Sequence, residues 1–185
     1  MTSSGRNWVS NQLPTREQAI ALLRANHCSP KVMAHCKAVA KLAVETAKTL
    51  KERGFNVDVD LVEVGALLHD IGRSKTHSVN HVIAGAEIAQ KAGMPESLVA
   101  IIKRHVGGGI TTAEAKELSW PDGNYLPVTL EEKIVSYADK LVETTDERVP
   151  IEETIGKFQA RGLTASAERV RKIHDEIAQM CGEKP

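Results

Sequence analysis

Helical periodicity of the apolar residues runs through almost all of this 185-residue chain, and it constrains the fold more than any other feature. Apolar side chains recur at spacings of three and four, which places them along one face of a helix. No alternation of polar and apolar residues lasts long enough to build a sheet. The sequence therefore predicts an all-α fold, and its length suits a single domain with a substantial core.

Capping signals and glycines divide the chain into a series of predicted helices. Residues 15–18 and 129–132 have the spacing of capping boxes, and Asp60 is placed to cap another helix. The predicted helices cover about 15–26, 30–53, 60–71, 79–92, 95–106, 112–118, 129–144, 151–160 and 164–180. We expect residues 1–13 and 182–185, which lie outside these helices, to be flexible.

Charge and composition exclude several classes of protein. The chain has 24 Lys and Arg residues against 24 Asp and Glu residues, so it lacks the basic excess of a dedicated nucleic-acid binder. Aromatic residues make up only 3%, too few for a base-stacking platform. No apolar run reaches the ~18 residues of a membrane helix, and residues 1–13 lack the apolar centre of a signal peptide. We therefore expect a cytoplasmic protein that binds no membrane.

Histidine and aspartate residues interrupt the predicted apolar faces of several helices. His35, for example, falls in a stripe with Val32, Val39 and Leu42. The residues on or beside such stripes are His35, His69, Asp70, His81, His105 and Asp139. A single buried histidine is ordinarily a hydrogen-bonded core residue, but this many titratable groups in one interior are stable only if they pair or bind a cation. Imidazole and carboxylate suit first-row transition metals, and the lack of a cysteine in the set argues against a structural zinc site.

Two glycines accompany this pattern. Gly65 and Gly85 each lie four residues from an inward histidine, His69 and His81 respectively, which is about one helical turn. Because glycine weakens a helix, each position indicates either a close approach of helices around the site or an ordinary packing contact. The sequence leaves both interpretations open.

The adjacent His-Asp pair carries a resemblance to a known family. His35, the string His69-Asp70-Ile71-Gly72 and Asp139 resemble the defining pattern of the HD superfamily, which is named for that pair. His81 within NHVIAGAEIA and His105 within IIKRH resemble the extra-histidine version of the family, which holds two metals. The sequence around these motifs is also similar to small, poorly characterised archaeal HD proteins.

This resemblance implies a fold and a metal centre. The matching motifs lie within about residues 30–145, in a single helical HD domain over residues 14–181 with the metal site in its core. The implied metal ligands are His35, His69, Asp70, His81, His105 and Asp139. Asp70 would bridge two divalent transition metals (Fe, Mn, Co or Zn, with Mg also suitable), because a carboxylate has two oxygens. His81 and His105 would share the second metal with Asp70, and the other residues would complete the first.

The resemblance also implies an activity, that of a metal-dependent phosphohydrolase acting on a small phosphorylated substrate such as a nucleotide. Asp70 would be the catalytic residue, because it positions both metals. Arg73 stands where many HD hydrolases have Lys, and an arginine can bind a phosphate through two hydrogen bonds. Arg73 and Lys140 are the candidate substrate-binding residues, although Arg73 could equally be an exposed loop cation.

Other interpretations stay open. Members of the superfamily with the same ligands include di-iron oxygenases that cleave carbon–carbon or carbon–phosphorus bonds, and a metal-binding regulatory module is a third alternative. His77 lies in the loop before the His81 helix, where it either reaches the substrate or is an ordinary polar loop residue. A homo-oligomer is compatible with the sequence, but no feature argues for one.

Overall fold

A computed structural model describes residues 12–143 and 148–182, and its regular structure is helical throughout these ranges. The α-helices are α1 (Arg16–Ala25), α2 (Pro30–Glu52), α3 (Val59–Leu68), α4 (His81–Lys91), α5 (Glu96–Arg104), α6 (Thr112–Glu117), α7 (Leu130–Lys140), α8 (Ile151–Ala160) and α9 (Thr164–Cys181). Short 3-10 turns follow α3 and α5, at Ile71–Ser74 and Val106–Gly108. The predicted all-α fold is confirmed. Of the predicted flexible ends, residues 1–11 and 183–185 lie outside the described residues.

The long helix α2 forms the centre of the bundle. It packs against α3 and α7, while α4 packs against α5 and the 3-10 turn, and α9 covers α7 and α8. The main apolar core lies between these helices and includes the fully buried side chains of Val39, Leu67, Ile102 and Ile134. No helix in the described part of the chain is both long and apolar enough to cross a membrane.

Close approaches between elements explain the glycines near the inward histidines. A Cβ atom added to Gly65 would lie 2.6 Å from the Ile101 side chain, and one added to Gly85 would lie 2.9 Å from the Ile102 side chain. Gly72, in the 3-10 turn, allows even less space, because its added Cβ would lie 1.9 Å from the backbone oxygen of His81. Of the two interpretations of Gly65 and Gly85, the structure supports close helix approach.

The start of α3 differs from the predicted one. Asp58, rather than Asp60, caps this helix, and its carboxylate accepts a hydrogen bond from the Leu61 N–H at 3.0 Å. Asp58 is held in an extended backbone conformation because its own N–H donates to the Glu131 side chain of α7, at 3.0 Å. A contact between helices therefore decides between two acidic residues that are two positions apart.

Other predicted helix ends also move. α3 stops at Leu68 instead of continuing to Ile71, and α4 begins at His81 rather than at residue 79. α7 ends at Lys140, and its predicted end, Thr144, lies outside the described residues.

The early end of α3 has a consequence for the site. In a regular helix, the side chains of adjacent residues point about 100° apart. The backbone at Asp70 is not helical (φ −100°, ψ 14°), so the direction of the Asp70 side chain relative to that of His69 differs from this value.

The predicted capping box at residues 129–132 is wrong in one half. Thr129 accepts from the Glu132 N–H as expected, at 3.3 Å. The Glu132 carboxylate, however, accepts from the Val128 N–H at 2.6 Å and from Arg104 at 2.8 Å instead of from the N–H of the cap. Because Glu132 is buried, its charge is stabilised by the arginine of α5 rather than used for capping.

Candidate metal centre

The inward histidine and aspartate side chains meet at one place in the bundle. α2, α4 and α7 each supply one of them, and the ends of α3 and α5 supply the others. The cluster comprises His35, His69, Asp70, His81, His105 and Asp139. Four members have at most 3% of their surface exposed, and His35 and Asp139 lie at the cleft side of the cluster. The structure thus brings together every residue that the sequence places in the metal centre.

One side of the cluster is built around Asp139. Its Oδ1 atom lies 3.0 Å from His35 Nε2 and 3.4 Å from His69 Nε2. The same two nitrogens lie 3.9 and 3.7 Å from Asp70 Oδ2. Two imidazoles and two carboxylates therefore enclose a common space on this side.

The other side of the cluster uses the second oxygen of Asp70. Asp70 Oδ1 lies 3.1 Å from His81 Nε2 and 3.6 Å from His105 Nε2, and these two nitrogens are 3.2 Å apart. The Asp70 carboxylate consequently lies between two pairs of histidines, with one oxygen directed to each pair. This is the geometry that a bridging carboxylate requires.

Backbone hydrogen bonds fix the orientation of three imidazole rings. Nδ1 of His69, His81 and His105 lies 2.7, 2.7 and 2.9 Å, respectively, from the carbonyl oxygen three residues earlier in the chain. Since a carbonyl oxygen only accepts, each Nδ1 carries the proton and each Nε2 presents a lone pair to the cluster. Metal-binding histidines are commonly held in this way by their second nitrogen.

The cluster fits divalent metal ions by three criteria. His69 Nε2 and Asp70 Oδ1 are buried without a hydrogen bond of good geometry, which is costly in a protein interior. The lone pairs of His81 Nε2 and His105 Nε2 also face each other, and a cation between them would remove their repulsion. The set of imidazole and carboxylate donors is one that first-row divalent metals accept.

Burial and neighbouring charges set the protonation of the cluster. Burial lowers the pKa of His105 to about 4, so this ring is neutral at pH 7. Burial also opposes ionisation of the two aspartates, but it is outweighed. The charge of the neighbouring His69 ring holds the pKa of Asp70 well below its usual range. Lys140 and the hydrogen bond from His35 do the same for the pKa of Asp139. Neutral imidazole and ionised carboxylate are the forms that bind metals.

His69 responds to the same environment in the opposite direction. Its complete burial favours the neutral ring, but the Asp70 and Asp139 carboxylates outweigh burial and raise the pKa of His69. The two carboxylates therefore attract positive charge towards His69 Nε2, a buried atom that has no hydrogen bond of good geometry. Positive charge is stabilised at this position.

An open cleft of about 430 Å³ leads from solvent to the cluster. Both candidate substrate-binding residues line it, but each contacts a cluster carboxylate. Arg73 Nε donates to Asp70 Oδ2 at 2.5 Å, and the Lys140 ammonium donates to Asp139 Oδ2. The cleft is also lined by Lys31, which the sequence did not indicate, and by His77, for which the sequence left open both a substrate contact and an ordinary loop position. Periodicity gives no signal for either, because one is an exposed residue of α2 and the other lies in a loop.

Two further cations near His105 have other roles. Arg104 pairs with the buried Glu132 at 2.8 Å, and the Lys103 ammonium lies 5.9 Å from the centre of the Tyr125 ring. Neither residue lines the cleft described above. The structure therefore separates them from the cations that surround the cluster.

Comparison with protein families and curated proteins agrees with this geometry. The family model described as HD domain matches residues 32–143. An uncharacterized protein of Methanocaldococcus jannaschii is 48% identical over 163 residues, which cover 87% of this chain and 95% of that protein. The tRNA (cytidine(56)-2'-O)-methyltransferase of Picrophilus torridus is 38% identical over 170 residues, or 92% of this chain and 48% of that protein. The chain thus spans about half the length of this methyltransferase.

Solved structures show the same fold. The HD domain of the phosphodiesterase PgpH from L. monocytogenes superposes with a TM-score of 0.52 and 19% identity, covering 89% of this chain and 97% of that one. The same domain in complex with cyclic-di-AMP gives a TM-score of 0.52 with 22% identity, covering 88% and 96%. At this level of identity the likeness establishes the helical fold.

Proposed function

This chain belongs to the HD domain family, and we propose that it is a metal-dependent phosphohydrolase that hydrolyses a small phosphorylated substrate. The observation that carries the proposal is the position of the Asp70 carboxylate, which directs one oxygen to His35 and His69 and the other to His81 and His105. Such a carboxylate is suited to holding two cations close together at the bottom of a cleft open to solvent.

The cluster residues have distinct roles in this proposal. Asp70 would hold a metal on each side, one together with His35, His69 and Asp139 and the other together with His81 and His105. Divalent metals bound there would lower the pKa of water towards ~7 and neutralise charge that develops on phosphoryl oxygens. The carbonyl-bound Nδ1 atoms keep the imidazoles oriented, so the ligand nitrogens need no rearrangement when a substrate binds.

The charge of the cleft supports a phosphorylated substrate. Lys31, Arg73 and Lys140 line its walls, and cations at such positions hold phosphate oxygens. Arg73 donates to Asp70 through its Nε atom, while its terminal Nη1 atom donates to the carbonyl oxygen of His77. No Phe, Tyr or Trp side chain lines the described part of the cleft. We therefore propose that the cleft recognises the phosphate more strongly than a base.

A phosphorylated RNA end is the second candidate substrate. RNA as the substrate class is favoured by one observation, the 38% identity to half of a tRNA (cytidine(56)-2'-O)-methyltransferase, and the phosphorylated end follows from the proposed phosphohydrolase chemistry. The zero formal charge of this chain indicates that such an RNA would be bound mainly through its terminal phosphate rather than along its backbone.

Hydrolysis of a substrate panel tests the proposal, measured as phosphate release from the monoesters and as linear product from the cyclic dinucleotides. The protein is purified without oxygen, supplied with Mn, Fe, Co or Mg, and assayed with phosphomonoesters, mononucleotides, cyclic dinucleotides and a 3'-phosphorylated RNA oligonucleotide. We expect metal-dependent phosphate release from a small ester, reduced at least ~100-fold in Asp70→Asn and unchanged in Asp60→Asn, an exposed control on α3.

Three results would contradict the preferred proposal. Oxygen consumption without phosphate release would identify a di-iron oxygenase. Hydrolysis of the RNA end alone would select the second candidate substrate. Metal binding without turnover of any ester would indicate a regulatory module.

A further inference from the structure

The loop between the first 3-10 turn and α4 is fixed against the metal centre. The carbonyl oxygen of His77 accepts from Arg73 Nη1 at 3.4 Å, and that of Ser78 accepts from His81 Nδ1 at 2.7 Å. The hydroxyls of Thr76 and Ser78 are 3.0 Å apart, and the Ser78 N–H donates to the Thr76 hydroxyl at 3.2 Å. The backbone of His77 is therefore tied to a residue of the centre on one side and to a cleft cation on the other.

The His77 side chain is exposed and lines the cleft. Across residues 12–143 and 148–182, its ring makes no hydrogen bond or ion pair. The charged and titratable groups that face the same cleft are Lys31, His35, Asp70, Arg73, Asp139, Lys140 and Glu143. Most of them are engaged, since His35 and Lys140 bind Asp139, Arg73 binds Asp70, and Glu143 pairs with Lys157.

This arrangement leaves His77 as the group best suited to supply a proton to a substrate. The imidazoles of His69, His81 and His105 have their protons committed to carbonyl oxygens. Lys31 also has no ion pair among the described residues, but a lysine amine holds its proton too strongly for efficient transfer near neutral pH. Imidazole exchanges a proton readily between pH ~5 and ~8.

We propose that His77 is the general acid of the reaction, an assignment that rests on the phosphohydrolase function proposed above. A water oxygen attacks phosphorus, the bond between phosphorus and the ester oxygen breaks, and that oxygen takes the proton of the His77 imidazolium. The attacking water releases its proton to solvent, and the imidazole regains a proton from solvent. General acids of this kind accelerate such reactions by about 10²–10⁴-fold.

Two substrates with different leaving groups test this role. An alkyl phosphate needs a proton on its leaving oxygen, whereas p-nitrophenyl phosphate releases a stable anion. We expect His77→Gln to lower kcat for the alkyl ester about 100-fold and to change kcat for the p-nitrophenyl ester less than ~3-fold. Imidazole added to the buffer should restore the alkyl activity. Lys75→Gln, in the same loop but outside the cleft lining, is the matched control and should retain both activities.

The possible results separate the two proposals. The general-acid role would be overturned if His77→Gln, with unchanged metal content, lost activity equally on both esters or lost none on either. Wild-type turnover of the esters would in that case still support the phosphohydrolase function. A wild-type protein that hydrolyses neither of these esters nor any other member of the substrate panel, with any metal, would overturn the proposed function and the role of His77 with it.

Discussion

At the scale of single residues, Gly72 shows how little space separates the parts of the metal centre. It lies in the 3-10 turn after Asp70, and the backbone of α4 at His81 packs directly on it. A side chain at this position would meet backbone atoms, which cannot move aside as the end of a flexible side chain can. The glycine is therefore required for the two halves of the cluster to approach each other.

We predict that Gly72→Ala lowers the free energy of unfolding by about 3 kcal/mol, at the upper end of the usual cost of overpacking. Its Cβ would lie 1.9 Å from the His81 oxygen, so α4 must shift. Gly156→Ala is the matched control, because no heavy atom lies within 4 Å of its Cβ, and it should stabilise α8 by up to ~1 kcal/mol. Urea unfolding measures both, and equal effects would contradict this view of the contact.

The sequence predicts the cluster residues but not their cleft-side partners. His69 and Asp70 are recognisable as an adjacent pair, and the other cluster residues follow from helical spacing. The pairing of Arg73 with Asp70 depends on the end of α3, whose position a pattern of apolar residues does not determine. Lys31 approaches the cleft only because the start of α2 lies beside the loop that carries His77.

At the scale of elements, the short helix α6 depends on a single carboxylate. Glu114 completes a capping box with Thr111, and it also accepts from Arg169 of α9 at 2.9 Å. Arg169 in turn donates to the carbonyl oxygen of Gly109, in the glycine segment that follows His105. The Arg169 side chain therefore connects α9 both to α6 and to the glycine segment that follows His105.

We predict that Glu114→Gln lowers the free energy of unfolding by about 1 kcal/mol at pH 7, the upper end for an ion pair near the surface, because Gln can still accept from the Thr111 N–H but loses the charge paired with Arg169. Burial opposes ionisation of Glu114, but the Thr111 N–H and Arg169 outweigh it and lower its pKa. Because the folded pKa is below the unfolded one, this stability is complete above pH ~5 and is lost as the pH falls below ~4.

Thermal unfolding at several pH values measures this difference. Glu117→Gln, on the same helix, is the control, and it should leave stability within ~0.5 kcal/mol of the wild type. A difference between wild type and Glu114→Gln that persists undiminished at pH 3 would show that the carboxylate charge is not the cause.

Helix boundaries show what local sequence can and cannot predict. The capping box of α1 forms as its spacing predicts, because no other element in the described part of the chain bonds to Thr15 or Gln18. At the start of α7 the same spacing does not give a complete capping box, because the Glu132 carboxylate accepts from Arg104 of α5 and from the Val128 N–H instead. Spacing determines which residues can cap a helix, and contacts between helices determine which of them does.

At the scale of the whole molecule, the histidine and aspartate cluster connects the helices of the bundle. Its side chains come from α2, α4 and α7 and from the ends of α3 and α5, so no pair of helices contains it. A metal that binds this arrangement binds the folded chain and not the unfolded one, and folding and metal binding are then coupled. The identity and number of ions are therefore properties of the complete fold.

The metal content of protein purified without oxygen tests the central claim most directly, because the claim is that Asp70 bridges two ions. We predict about two divalent metal ions per chain in the wild type and about one in His81→Ala and in His105→Ala. Circular dichroism should show that both variants are folded, and His174→Ala, outside the cluster, should retain the wild-type content. Wild-type metal content in folded His81→Ala and His105→Ala would contradict the bridged centre.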